Sequence, residues 1–314
     1  MAEESRFTYF QVEKDSNFLW GTTGIFFYIV IWIGSLAAPF VCVALFWLQH
    51  FQHASLLAVM ICASYIPWGR SSHLRTLFGQ GGLKYFKRAS LLYEEPLVDS
   101  KNTAKILCVH PHGVFAMGWG ILFSRPELES VGFCFSQALY NSPFFRLMTK
   151  TIGRPAPADK VSFLRMLSER RTLAIIPGGF EEATIHCAGE HRVYCRRQGL
   201  VKYALEHGYS LVPCYCFGEN KTYSNVQGAW SVRLWLNSFG IPGVLACGKW
   251  WCPLLPRNED MHIVVGKGLV LPRIENPSPE TVEKHHAMYV QALVDLFDRH
   301  KADYGEARSK LVVW

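Results

Sequence analysis

The pattern of apolar and polar positions changes near residue 69. Before it, residues 24–48, "GIFFYIVIWIGSLAAPFVCVALFWL", carry no charged side chain over a length that crosses a bilayer core of about 30 Å. After the polar break "QHFQH" comes a second, shorter apolar piece at 54–67, ending against Trp68. The two pieces predict a membrane hairpin over 21–68, with Pro39 kinking or breaking its first arm. Acidic residues precede the run, which is also too long for a signal peptide. Arg70, Arg75, Lys84, Lys87 and Arg88 follow directly, whereas the loop between the arms holds neither Lys nor Arg. The positive-inside rule then places both termini in the cytosol. One long helix partly buried in a soluble domain is the competing pattern.

Beyond residue 69, short β-branched runs alternate with stretches of helical period, which predicts an α/β layer structure. Strands are expected over 105–109, 131–136, 172–176, 210–217 and 262–265. Helices are expected over 160–171, over 199–207 with Gly208 as the stop, and over 281–300. In the last of these, Val282, His286, Tyr289, Leu293 and Leu296 share one face. Pro253, Pro256, Pro272, Pro277 and Pro279 punctuate an irregular final third. The organisation is therefore a cytosolic N-terminus (1–20), a membrane hairpin (21–68) and a cytosolic domain (69–314), with no internal repeat.

Half of the 314 residues are hydrophobic, enough for a core and a hairpin besides. The formal charge of +7 suits an anionic partner: nucleic acid, a membrane surface or a phosphorylated ligand. Ten cysteines are scattered without a disulfide framework or zinc spacing, so reduced thiols are expected.

Candidate chemistry gathers at strand ends, where α/β sheets bind ligands. The first expected strand runs into His110-Pro111-His112-Gly113. Two residues apart on extended chain, the imidazoles would point to one side. Pro111 biases His110 toward extended geometry, and Gly113 lets something approach the backbone closely. An imidazole there takes up a proton near neutral pH. Taken alone, the pair reads more often as two hydrogen-bonded structural histidines. A metal pair is a further alternative, although no additional His, Asp or Glu cluster has ligand spacing. The strand at 172–176 ends in Pro177-Gly178-Gly179, followed by Glu181 and Glu182. The glycine amides suit an oxyanion, and a carboxylate beyond them can orient an imidazole; a tight turn before an acidic helix start is the plain alternative. Arg196, Arg197 and Lys202 could grip phosphates or form a solvated cationic face. Glu219-Asn220 close the strand at 210–217, and Asn220 begins a glycosylation sequon that a cytosolic placement leaves unused. Serine-hydrolase, phosphate-loop and dinucleotide-binding motifs are absent from the sequence.

Five blocks in order give the chain its resemblance to the type-2 diacylglycerol acyltransferase family, which includes monoacylglycerol and wax-alcohol acyltransferases. They are "HPHG" at His110, "GGFEE" at Gly178, "RQGLVKYAL" at Arg197, "LVPCYCFGEN" at Leu211 and "HAMYVQALVDLFDRHKADYG" at His286. The resemblance implies a glycerolipid-acyltransferase-like sheet flanked by helices. It also implies a multi-pass enzyme of the endoplasmic reticulum, with lipid droplets a second location, that transfers an acyl chain from coenzyme A to diacylglycerol. By motif, His112 resembles the catalytic histidine, His110 fills a less strict position, and Glu182 matches the motif glutamate; Pro111, Glu219 and Asn220 lie within family motifs. The wider glycerolipid acyltransferases pair histidine with an aspartate five positions on, where this chain has Met117 after His112 and Phe115 after His110. Glu182 is therefore expected to orient the His112 ring. The amides around Gly113, Gly178 and Gly179 are expected to hold the oxyanion, and Arg196, Arg197 and Lys202 the phosphates of coenzyme A. Acyl-CoA enters as a substrate, with no cofactor, metal or nucleic acid expected; homo-oligomerisation is left open. Monoacylglycerol, a long-chain alcohol or a sterol is the alternative acceptor. A metallohydrolase built on His110 and His112, and an inactive membrane-anchored lipid-binding protein, are the readings from other classes.

Overall fold

The computed structural model describes residues 7–12, 18–96 and 104–314. Its strands in chain order are β1 (Phe7–Val12), β2 (Ala89–Tyr93), β3 (Lys105–His110), β4 (Gly132–Phe135), β5 (Pro155–Pro157), β6 (Leu173–Ile175) and β7 (His191–Val193), followed by β8 (Ser210–Phe217), β9 (Ser224–Asn225), β10 (Ala246–Cys247), β11 (Met261–Val265), β12 (Leu269–Val270) and β13 (Leu311–Val313). Nine of them form one mixed sheet in the order β1-β2-β11-β8-β3-β6-β4-β5, with β12 also pairing β8. From β8 to β5 every neighbour is parallel, so the chain leaves β3, β6 and β8 at the same end of the sheet. Every residue of β3 and β8 is buried, as expected for central strands covered on both faces.

The pleat of β3 divides the core. Leu107 and Val109 face one layer, built from α1 (Phe18–Trp47), α4 (Met117–Phe123), α5 (Gln137–Asn141) and α6 (Pro143–Ile152). Ile106 and Cys108 face the opposite layer, built from α7 (Lys160–Ser168), α9 (Gly199–His207) and α11 (Pro279–His300). The remaining helices are α2 (Phe51–Ser64), α3 (Ser72–Leu83), α8 (Gly179–Ile185) and α10 (Trp230–Asn237).

Over Gly21–Trp47, α1 is the one described helix long and apolar enough to cross a membrane, and only 17% of its most apolar window is buried. Pro39 lies inside it without ending it. The 14 residues of α2 rise only about 21 Å at 1.5 Å per residue, less than a bilayer core. Outer residues such as Phe40 and Trp47 are 78% and 85% exposed. The inner half of α1 behaves differently. Ile25 and Ile29 are buried in the main core, Trp32 packs edge-to-face on Phe115 and Phe145, and Ser35 Oγ accepts from the Phe145 amide at 3.0 Å. The composition break near residue 69 is therefore not a packing boundary. Nor is the stretch before the hairpin separate from the domain: part of 1–20 lies outside the described residues, but β1 joins the main sheet by pairing with β2. Both ends of the α1–α2 unit thus return to one body.

Candidate active site

His110 ends β3 and keeps the face of Ile106 and Cys108, which buries its ring completely. Nδ1 stands 2.7 Å from Glu182 Oε1, and Nε2 stands 2.8 Å from the Tyr289 hydroxyl of α11. Both ring nitrogens are thereby engaged, as a buried imidazole requires. A cis peptide bond leads into Pro111. His112 is half-buried in the wall of a groove of about 410 Å³. The two imidazoles have different surroundings: the strand ends at His110, whose ring is fully buried, whereas His112 lines the groove. Both His110 nitrogens are engaged by Glu182 and Tyr289, and no group of three or more His, Cys, Asp or Glu among the described residues could hold a metal.

Glu182 is the hub of the turn. It comes from α8, whose start follows β6, and it is 1% exposed. Oε1 accepts from His110 and from the Tyr194 amide at 3.0 Å, while Oε2 accepts from the His112 amide at 2.8 Å. Glu182 therefore holds the His112 backbone, not its ring, and the ring it touches is that of His110. The orienting group for the His112 ring is the Gly113 carbonyl, 2.9 Å from Nδ1. A carbonyl only accepts, so Nδ1 carries the proton and Nε2 keeps the basic lone pair. Burial holds the His112 pKa below the usual histidine value, opposed by the Gly113 carbonyl and the Glu182 charge. The neutral, proton-accepting ring thus persists to lower pH than in a free histidine.

Two glycines are demanded by close approach. Gly113 has φ +63°, and a Cβ there would stand 2.2 Å from Glu219 Oε1. At Gly178 a Cβ would stand 2.6 Å from the Glu182 side chain. Gly179 also has positive φ, at +54°, but its amide already donates to the Ile176 carbonyl at 3.3 Å. Of the three glycine amides expected to face an oxyanion, those of Gly113 and Gly178 have no partner among the described residues.

Glu219 sits fully buried beneath the turn, beyond the end of β8. Its oxygens accept from the Met117 amide at 3.1 Å and the Gly118 amide at 2.7 Å, capping α4. Burial raises its pKa to about 7 against the pull of those amides. Asn220 is also buried, which keeps its amide from any glycosylation machinery in the folded chain.

The three basic residues do not form one cluster. Arg197 lines the groove and pairs with Glu181. The Arg196 guanidinium lies 6.0 Å over the Tyr194 ring. Lys202 faces outward on α9, 3.9 Å from Glu206, because Val201, Ala204 and Leu205 claim the inner face. Two groups of the site carry little sequence signal. Tyr289 reads only as one member of an apolar helical face, although a buried tyrosine hydroxyl needs a partner and that need is the clue. Trp32 reads as lipid-facing, yet it walls the groove together with Trp119 and Phe135.

The diacylglycerol acyltransferase family model matches residues 83–314. Among similar proteins, mouse diacylglycerol O-acyltransferase 2-like protein 6 is 34% identical over 65% of this chain and 68% of its own. Bovine diacylglycerol O-acyltransferase 2 is 32% identical over 67% of this chain and 63% of its own. Human acyl-CoA wax alcohol acyltransferase 2 is 31% identical over 68% of this chain and 70% of its own. The model spans every strand-end motif described above, so the resemblance of the five sequence blocks is upheld, and the chain belongs to the diacylglycerol acyltransferase family.

Proposed function

We propose that this chain esterifies diacylglycerol to triacylglycerol with acyl-CoA as donor, at the endoplasmic reticulum membrane, with His112 Nε2 as general base. Acyl transfer comes with the family; the acceptor, the base and the compartment are the proposal. The observation that carries it is the His112 ring, which lines the groove and is held through Nδ1 by the Gly113 carbonyl, leaving Nε2 as the basic nitrogen. In the proposed reaction Nε2 takes the hydroxyl proton as the acceptor oxygen attacks the thioester carbonyl carbon. The tetrahedral intermediate carries an oxyanion, for which the unpartnered Gly113 and Gly178 amides are the proposed donors. Its collapse breaks the C–S bond, and the imidazolium returns the proton to the coenzyme A sulfur. A thiol pKa near 8.5 makes that thiolate a willing leaving group, so the base need only activate the alcohol, a factor of about 10²–10⁴. Arg197, at the groove, is the residue of the basic set best placed for a coenzyme A phosphate. The groove volume falls in the range of about 300–1,000 Å³ common to ligand sites, and its Trp32 wall links it to the apolar helix.

The membrane placement rests on the exposed apolar surface of α1 and α2, and the pairing of β1 with β2 favours both termini on the cytosolic side. The test is an acceptor panel. Membranes containing the full chain receive labelled oleoyl-CoA with diacylglycerol, monoacylglycerol, a long-chain alcohol or a sterol, alongside the His112→Ala variant. Triacylglycerol as the dominant product, lost in the variant, is expected. Preference for an alcohol would assign the wax-ester reaction instead, and no turnover with any acceptor would leave a lipid-binding protein.

A further inference from the structure

Where the chain leaves α2 it passes through Tyr65, Ile66, Pro67 and Trp68, and the exposed side chains of Tyr65, Ile66 and Trp68 suit the depth at which hydrocarbon gives way to headgroups. The Tyr65 hydroxyl donates to the Asn141 carbonyl at 2.6 Å and the Ser71 amide to the Thr151 carbonyl at 2.9 Å, so this exit is fixed to the domain, while Trp68 Nε1 donates locally to the Ala63 carbonyl of α2 at 3.2 Å. Behind it lies a cleft of about 370 Å³ between the exit and α6. Three cations line it: Arg70, Arg146 and Lys150.

Their counter-charges do not balance. Glu129, the carboxylate bonded here, is shared by Arg70 at 3.4 Å and buried Arg75 at 2.8 Å. Arg146 and Lys150, one helical turn apart on α6, have no carboxylate partner among the described residues. Each lies instead over an aromatic face, Arg146 over Tyr65 at 5.0 Å and Lys150 over Tyr140 at 5.5 Å. Burial lowers the Lys150 pKa, and the neighbouring Arg146 charge lowers it further. Half-buried like charges held side by side call for an anion, and the cleft leaves room for one.

We propose that this cleft binds the phosphate-bearing headgroup of an anionic phospholipid, with Arg146 and Lys150 on the phosphate oxygens and Arg70 completing the cationic rim. The site is separate from the groove at His112, since the two share no lining residue. Basic pockets at the end of a membrane helix are suited to such headgroups, because the lipid tail stays in hydrocarbon while the phosphate meets fixed cations. The inference shares only the membrane placement of α2 with the proposed function and stands whichever acceptor the enzyme uses.

The test is native mass spectrometry of the full chain purified in mild detergent, with phosphatidic acid, phosphatidylcholine or inorganic phosphate added. The wild-type chain should retain one phosphatidic acid in preference to phosphatidylcholine. The Arg146→Gln/Lys150→Gln variant should weaken that binding about tenfold or more, the scale of a lost charge-assisted contact. A variant carrying Arg308→Gln and Lys310→Gln, which removes the same charge from exposed positions outside the cleft, should bind as wild type does. Arg146→Lys/Lys150→Arg keeps both charges and should keep the lipid. Acyl transfer and thermal midpoint in the same preparations separate loss of the site from loss of the fold. Equal retention of both lipids by the wild-type chain would overturn the proposal, and so would undiminished binding in the Arg146→Gln/Lys150→Gln variant. Capture of inorganic phosphate without lipid retention would make the cleft a site for a soluble phosphate and overturn the headgroup assignment.

Discussion

Replacing Glu182 with glutamine tests the arrangement most directly, because it keeps the volume and changes only what the side chain can accept. Glu182 takes three donors: the His110 ring at 2.7 Å, the His112 amide at 2.8 Å and the Tyr194 amide at 3.0 Å. Glutamine offers one oxygen and one NH₂. Its least costly orientation leaves the oxygen where Oε1 now serves His110 and Tyr194, so the NH₂ faces the His112 amide. That buried donor then has no acceptor, at a cost of about 1–3 kcal/mol. If the whole cost falls on the turn that carries the base, kcat drops about 5- to 150-fold while the acyl-CoA KM changes little. The pH profile supplies a second reading. With His112 as the proposed base, activity should be lost as pH falls through its pKa, which lies below the ordinary 6.5. The Glu182 charge props that pKa up. Its removal should therefore move the acid limb of kcat/KM to still lower pH. The assay is a pH–rate series with labelled oleoyl-CoA on purified protein of checked thermal midpoint. In the His112→Ala background the same change should cost almost nothing more, since the turn no longer positions a base. A limb that stays put or moves up, or a Glu182→Gln loss that multiplies with that of His112→Ala, would refute the reasoning.

His110→Ala should not be mild: it leaves Glu182 and Tyr289 short of a buried partner and opens a cavity, so a loss of about 3–5 kcal/mol is expected, read by chemical denaturation. Gly113→Ala should abolish activity and lower the thermal midpoint, because the added methyl meets the buried Glu219 carboxylate at a positive φ; a folded, active variant would show that the turn has slack. Among the basic residues, Arg197→Gln should raise the acyl-CoA KM more than it lowers kcat, whereas Arg196→Gln and Lys202→Gln should stay near wild type, a split that steady-state kinetics reads directly.

Much of the sheet is legible in the chain. The expected strand at 210–217 coincides with β8, and those at 105–109, 131–136, 172–176 and 262–265 fall within one or two residues of β3, β4, β6 and β11. These are buried apolar runs bounded by turn residues, the strongest local signal a strand gives. The edges were not legible. Three-residue β5 is Pro155–Pro157, whose prolines are tolerated because it pairs on one side only, and β7 and β13 pair in parallel across more than a hundred residues. At the site, the pattern locates the strand ends that bring His110, His112 and Glu182 together, because parallel strands deliver their ends to one place. It does not locate the turn geometry beyond His110, on which everything about partners depends, so the carboxylate expected on one imidazole holds the other. The role of Trp32 is hidden for a different reason: an apolar stripe looks the same whether lipid or protein covers it.

The inner half of α1 makes the apolar N-terminal helices and the sheet domain one inseparable object. Removing residues up to 68 would strip two buried isoleucines from the core, about 1.5–3 kcal/mol each, out of a stability that for a typical protein totals about 5–15 kcal/mol. It would also take away the Trp32 wall beside His112 and bare Phe115 and Phe145. Exchanging α1 and α2 for a foreign apolar segment would do the same damage. Engineering of a water-soluble version must therefore begin by recoating the outer face of α1 and α2 with polar residues, leaving Ile25, Ile29, Trp32 and Ser35 in place.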